Sequence, residues 1–176
     1  KALTSVKIPD GVTSIGRGAF GKCTGLTSVT IPDSVTSIGN SAFRDCESLA
    51  KINIPDSVAS IGGGSFACTA LISVVIPDSV RLIGNDAFSD CIALTSVELP
   101  ESVPIIGHGV FVNCKALTSV VIPDGVRSIS EGAFEDCTAL TSVKIPDGVT
   151  SIGKIAEKWG WFTLLGAFKG CTALTS

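Results

Sequence analysis

Polar and apolar residues alternate along this chain in a pattern that restarts every twenty-odd positions. Residues 26–48, LTSVTIPDSVTSIGNSAFRDCES, show one unit in full. Val29 and Ile31 alternate with Ser28 and Thr30, the two-residue period of a half-buried strand. Pro32 has no amide hydrogen to give to a ladder and ends that strand. Asp33 supplies turn chemistry, followed by a serine or, as at Asp10-Gly11, a glycine. Val35 and Ile38 predict a second, shorter extended stretch, which Gly39 breaks. Ala42, Phe43 and Cys46 fall at helical spacing and predict one short helical or 3₁₀ turn.

The unit recurs at Leu3, Leu26, Leu49, Leu71, Leu94, Leu117, Leu140 and Leu174, with a spacing of 23 residues except for one interval of 22 and a last one of 34. The short interval reads as the loss of one residue between Phe66 and Cys68. The long one carries eleven extra residues, IAEKWGWFTLL at 155–165; without them SIGK joins GAF and repeats the SIGRGAF of residues 14–20. A fixed period of this size predicts a solenoid. Each coil turns Leu, Val, Ile, Val, Ile, Ala, Phe and Cys inward, and no single coil can enclose them, so stability comes from stacking. The expected fold is a right-handed, β-rich α/β solenoid of seven coils. Its strands pair in parallel at about 4.8 Å per step in a rod roughly 30 Å long. It forms one domain over residues 1–176 with an insertion at 155–165.

Composition fits this picture. Apolar content of 45% and a mean hydropathy of +0.51 are high, and a core shared by every repeat accounts for them. No apolar run reaches the roughly 18 residues that span a bilayer. No signal peptide or anchor is contained in the sequence, which opens Lys1-Ala2-Leu3 and stops at Leu174-Thr175-Ser176. Both ends read as boundaries within a longer array. The net charge is −3 and the 13 basic residues are scattered, without the basic stripe of a nucleic-acid binder.

Candidate chemistry is sparse. The seven cysteines (Cys23, Cys46, Cys68, Cys91, Cys114, Cys137 and Cys171) each take the same place in their repeat, which predicts a buried ladder of small apolar side chains. One cysteine per coil and an odd total argue against a disulfide framework. No CxxC or HxxxH spacing offers a zinc site. His108, the single histidine, follows Gly107 at a variable surface position and has no nucleophile to serve. The repeated aspartates, Asp10, Asp33, Asp56, Asp78, Asp124 and Asp147, are turn formers; a calcium ladder needs more oxygens per ion. Neither a catalytic constellation, a metal nor a cofactor is predicted.

The pattern LxxVxIPxxVxxIGxxAFxxCxx is complete at residues 26–48 and recurs with one change at 117–139. It resembles the BspA-like class of bacterial leucine-rich repeats. The likeness covers the whole chain except residues 155–165. The departures are Ser130 in place of glycine, Pro104 between Val103 and Ile105, and the extra segment. The resemblance implies a noncatalytic binding module, from a parent that is secreted or displayed at the cell surface and adheres to host matrix proteins. It carries over no defined site, because the shared residues are core residues.

Two surfaces are candidates for partner binding. One is the outward row on the long strands (Lys7, Thr30, Asn53, Val75, Glu98, Val121, Lys144), flanked by Ser5, Ser28, Lys51, Ser73, Ser96, Ser119 and Ser142. Solenoids bind on such extended faces, although this one lacks Trp, Tyr and Arg anchors and reads more readily as a bland solvated sheet. The other is the segment at 155–165, which holds both tryptophans, Trp159 and Trp161, with Phe162, Leu164 and Leu165. So apolar a stretch requires a purpose. It reads either as an inserted or grafted interaction element or as a cap that closes the end of the solenoid or mediates self-association. The expected function is protein binding, with a host matrix protein, antibody or receptor as partner. Nucleic acid and a membrane span are not expected, and a homo-oligomer through the ends or the insertion is an option.

Overall fold

The computed structural model describes residues 3–153 and 166–175, and within them the chain is a parallel β-solenoid. Each coil contributes a two-residue strand, and every coil but the third a three-residue strand as well. The longer ones are β1 (Ser5–Lys7), β3 (Ser28–Thr30), β6 (Ser73–Val75), β8 (Ser96–Glu98), β10 (Ser119–Val121) and β12 (Ser142–Lys144). The shorter ones are β2 (Ser14–Ile15), β4 (Ser37–Ile38), β5 (Ser60–Ile61), β7 (Leu82–Ile83), β9 (Ile105–Ile106), β11 (Ser128–Ile129) and β13 (Ser151–Ile152). All pairing is parallel and joins equivalent positions of neighbouring repeats, as in Val6 opposite Val29 and Ile38 opposite Ile61. The leucine period is therefore the register of the stack.

The core runs unbroken through the coils. Leu26, Val35, Ala42, Phe43 and Cys46 of one repeat are fully buried, and so are their counterparts Leu71, Val80, Ala87, Phe88 and Cys91 further along. Seven phenylalanines, from Phe20 to Phe168, stack face to face with ring centroids 5.2–5.6 Å apart and planes within 15°. Offset aromatic pairs at this distance add about 0.5–1.5 kcal/mol each beyond the area they bury. One departure costs something: Ser65 stands in the alanine column, and its buried hydroxyl has no hydrogen-bond partner.

The expected helical or 3₁₀ segment is not formed among the described residues. The Ala-Phe stretch is instead a pair of hydrogen-bonded turns, such as Ala42 N to Gly39 O (3.2 Å) and Cys46 N to Phe43 O (3.3 Å). A residue with positive φ interrupts each would-be helix. In the second coil these are Ser41 (56°) and Asp45 (59°), and a right-handed helix cannot pass through such residues. The same turns give a third ladder: Phe20, Phe43, Phe66, Phe88, Phe111 and Phe134 each donate their amide to the next coil, at 2.7–2.9 Å.

The cysteine column is the other correction. Cys68 has φ 58° and donates its amide to Ser89 O, as Asp45 does to Ala67 O. Cys68 thus occupies the aspartate place, and buried Thr69 fills the cysteine place. No residue is missing between Phe66 and Cys68; the 22-residue coil is short between Thr69 and Leu71.

Candidate protein-binding faces

The long strands form one broad face. Alternation turns Val74, Val97 and Val120 inward and leaves Ser73, Val75, Ser96, Glu98, Ser119 and Val121 in solvent. The predicted row is therefore present, one side chain per coil, with Val75 opposite Glu98 across the β6–β8 pair. Val75 is 59% and Val121 70% exposed, high values for branched aliphatics.

This face is not continuous. Its strands pair only as β1–β3, β6–β8 and β10–β12. The predicted strand at residues 51–53 is not hydrogen-bonded as one. The position just upstream also departs from the repeat. In most coils that place holds a threonine whose hydroxyl and amide both reach the carbonyl of the coil before, as Thr27 does to Thr4 O (2.9 and 2.8 Å) and Thr95 to Ile72 O (3.0 and 2.8 Å). Ala50 has no hydroxyl, and no backbone bond joins residues 27–31 to residues 50–54. An open cleft of about 490 Å³ lies here, lined by Thr27, Ser28, Val29, Ala50, Lys51, Ile52 and Asn53. Lys51 and Asn53 are exposed at its rim.

The short strands form a second face with its own seam. There the residue before each strand donates to the coil before, as in Thr36 N to Thr13 O (2.8 Å) and Arg81 N to Ala59 O (2.9 Å). Pro104 cannot, and the ladder divides into β2-β4-β5-β7 and β13-β11-β9. The outward residue is serine in every strand of this face except the two beside the seam, Leu82 and Ile105, which are 61% and 52% exposed. Sequence reasoning missed this apolar pair, although two breaks in a serine column were a usable signal.

The third edge carries the thiols. Cys46, Cys91, Cys114, Cys137 and Cys171 each donate to the carbonyl of the phenylalanine one coil earlier, at 3.1–3.3 Å. Burial pushes Cys46 and Cys91 up to about 11 and Cys137 to about 12, and it raises Cys114 as well. These are protonated, unreactive packing groups, and all seven cysteines are free. His108 is exposed, with Nδ1 2.8 Å from Glu131 O. Among the described residues, no three His, Cys, Asp or Glu side chains gather to hold a metal, and no helix is long and apolar enough to cross a membrane.

Trp159, Trp161, Phe162, Leu164 and Leu165 lie outside the described residues. The flanks of their segment are described. A Cβ placed on Gly153 would lie 3.0 Å from Ala167 N and 3.3 Å from Gly166 Cα, so the chain leaves the coil and rejoins it at one point. Phe134 N still bonds Ala167 O at 2.8 Å, as in an uninterrupted coil.

Parallel coils in register, with a leucine column and one stacked phenylalanine per turn, define a leucine-rich-repeat solenoid. The chain belongs to the BspA type leucine rich repeat region family, whose model matches it in six copies over residues 1–118 and 68–156. Solved bacterial structures agree. A T. pallidum leucine rich repeat protein is 34% identical with a TM-score of 0.84, covering 99% of this chain and 79% of that one. A leucine-rich repeat protein from Bacteroides ovatus is 35% identical with a TM-score of 0.81, over 84% of this chain and 38% of the other. A leucine rich cell surface protein from Faecalibacterium prausnitzii is 32% identical with a TM-score of 0.63, over 98% and 59%. The chain thus spans less than two thirds of each of the latter two proteins. No curated protein matches it.

Proposed function

We propose that the chain is a noncatalytic protein-binding module of a bacterial surface protein, with a host matrix protein as the partner class. The observation that supports this most is the long-strand face. It presents an in-register column of variable side chains whose members Val75 and Val121 are left in solvent with Glu98 between them. Extended in-register faces of this kind are the surfaces on which solenoids bind their partners. In this reading Lys51, Asn53, Val75, Glu98 and Val121 contact the partner, and residues 155–165, with Trp159, Trp161, Phe162, Leu164 and Leu165, form a second interaction element carried by the frame.

The test is surface plasmon resonance against a panel of purified matrix proteins. The double variant Val75→Glu with Val121→Glu is expected to weaken capture by about tenfold or more, since it places charge in a desolvated contact. Ser37→Glu with Ser60→Glu, on the short-strand face, is expected to leave capture unchanged. A chain lacking residues 155–165 separates the two elements: binding that vanishes only there assigns recognition to the segment. No capture by any panel member, or equal loss in both double variants, would overturn the proposal.

A further inference from the structure

The opening at the third coil differs from the rest of the long-strand face in three independent ways. The first is the backbone. The amides of Lys51, Ile52 and Asn53 find neither a backbone nor a side-chain acceptor among the described residues. Elsewhere on this face the same positions are strands. Free N–H groups of this kind are satisfied by water or by a ligand's oxygens. The second is the side chain. Lys51 is the one charged member of a row that is otherwise serine, and Asn53 stands beside it in the outer row. The third is the absence of opposing charge. None of the residues lining the cleft is acidic, and Lys7, two coils away in the outer row, adds a second cation to this half of the face. Donors without acceptors and cations without carboxylates describe a receptor for a carboxylate.

The stack limits what can enter. The cores of the second and third coils stay in contact below the cleft, with Phe43 and Phe66 5.4 Å apart and β4 still paired to β5. A whole strand needs twice the inter-strand spacing of about 4.8 Å and cannot be threaded between the coils. A single carboxylate can.

We infer that the cleft between β3 and residues 50–53 is a docking site for an acidic side chain of a protein partner, held by Lys51 and by those free amides of the third coil that face β3. The inference rests on the protein-binding reading above and specifies one contact within it. The partner segment lies extended across the long-strand face and presents Asp or Glu to the cleft. Its neighbouring residues meet the serines and threonines around the rim.

The experiment uses fluorescence anisotropy with a labelled, C-terminally amidated hexapeptide, Thr-Glu-Val-Glu-Val-Thr, and its counterpart with Gln for Glu. The Glu peptide is expected to bind and the Gln peptide to bind about tenfold more weakly, the loss of a charge-assisted contact. Lys51→Glu is expected to abolish the difference between the two peptides. Lys51 is exposed, so an unchanged melting temperature confirms that this variant is folded. Ala50→Thr, which restores the hydroxyl that closes the step in other coils, is expected to weaken the Glu peptide without lowering stability. Hydrogen exchange gives a readout free of any ligand: the amides of residues 51–53 should exchange faster than those of β6 and slow when the Glu peptide is added. Equal affinity for both peptides, an unaffected Lys51→Glu, or amides already as protected as β6 would each overturn the inference. So would binding of sialyllactose, an acidic glycan, with the peptide silent. Matrix-protein capture that survives Lys51→Glu but is lost with Val75→Glu and Val121→Glu would overturn this site while leaving the binding-module reading intact.

Discussion

Along the phenylalanine edge every coil meets the next at a ring spacing of 5.2–5.6 Å, and every step from Phe20 to Phe134 adds a backbone bond. Across the long-strand face the same coils form strand ladders only in pairs, and the third is not a strand. The two regions differ in what sets the contact. Phenylalanine occupies its column without exception, and its packing does not depend on a particular neighbour's hydroxyl. On the strand face a threonine upstream adds a hydroxyl bond to the coil before at most steps, and Ala50 and Ile72 interrupt that series. A solenoid can therefore lose part of one face while its register is held from another. The open part, free of structural duty, is where ligand contacts can be placed.

The widest separation between the two regions should appear in stability. Phe88→Ala, at a fully buried ring between two stacked neighbours, is expected to lower the unfolding free energy by about 3–5 kcal/mol. Ile52→Ala, at the half-buried core position of the open coil, is expected to cost less than about 2 kcal/mol. Urea melts of both variants check this; similar losses would mean that the open coil is as tightly packed as the edge.

Alkali sharpens the comparison, because only the edge carries buried thiols. Burial raises Cys91 from the ordinary 9.0 to about 11, so the folded chain keeps a proton that the unfolded chain releases. The thiol's contribution to stability is complete below pH about 9 and drains away as the pH rises toward about 11. Between pH about 8 and about 10.5 the melting temperature should fall in the parent and fall less in Cys91→Ala. An identical slope in both would assign the alkaline transition elsewhere.

The smallest effect concerns the seam on the short-strand face. Pro104→Thr supplies the missing amide hydrogen and is expected to join β7 to β9, with a gain of about 0.5–1.5 kcal/mol. Slower hydrogen exchange at residues 104 and 105 would show the bond; unchanged exchange would mean that Leu82 and Ile105, rather than the proline, hold the seam apart.

How much of this was legible in the sequence follows from which contacts repeat. The leucine and phenylalanine columns repeat without exception, so the parallel register and the buried row could be read directly. Cys68 was misplaced because side-chain identity was taken as the marker, whereas the backbone turn decides the register: the positive-φ place accepts Cys68, and Thr69 moves into the core. Pro104 was noticed as an intrusion, and its lost donor explains a divided sheet. Ala50 carried no alarm, since alanine is unremarkable in a strand-rich repeat; its effect appears only against the threonines that bridge the other coils. The exposed row was placed correctly at Val75, Glu98 and Val121, but the opening beside Lys51 was not foreseen. Trp159 and its neighbours lie outside the described residues, and their role remains with the deletion experiment.

The near contact of Gly153 and Gly166 has a bearing on how such a protein can change. Since the two sides of the gap meet, the frame is indifferent to the number of residues strung between them: a shorter or longer stretch would hang from the same doorway without altering the rise of the coils. New sequence can be tried there with no demand on the rest of the molecule to adjust, which makes this corner a place where a repeat protein can acquire a specificity that its own repeat does not encode.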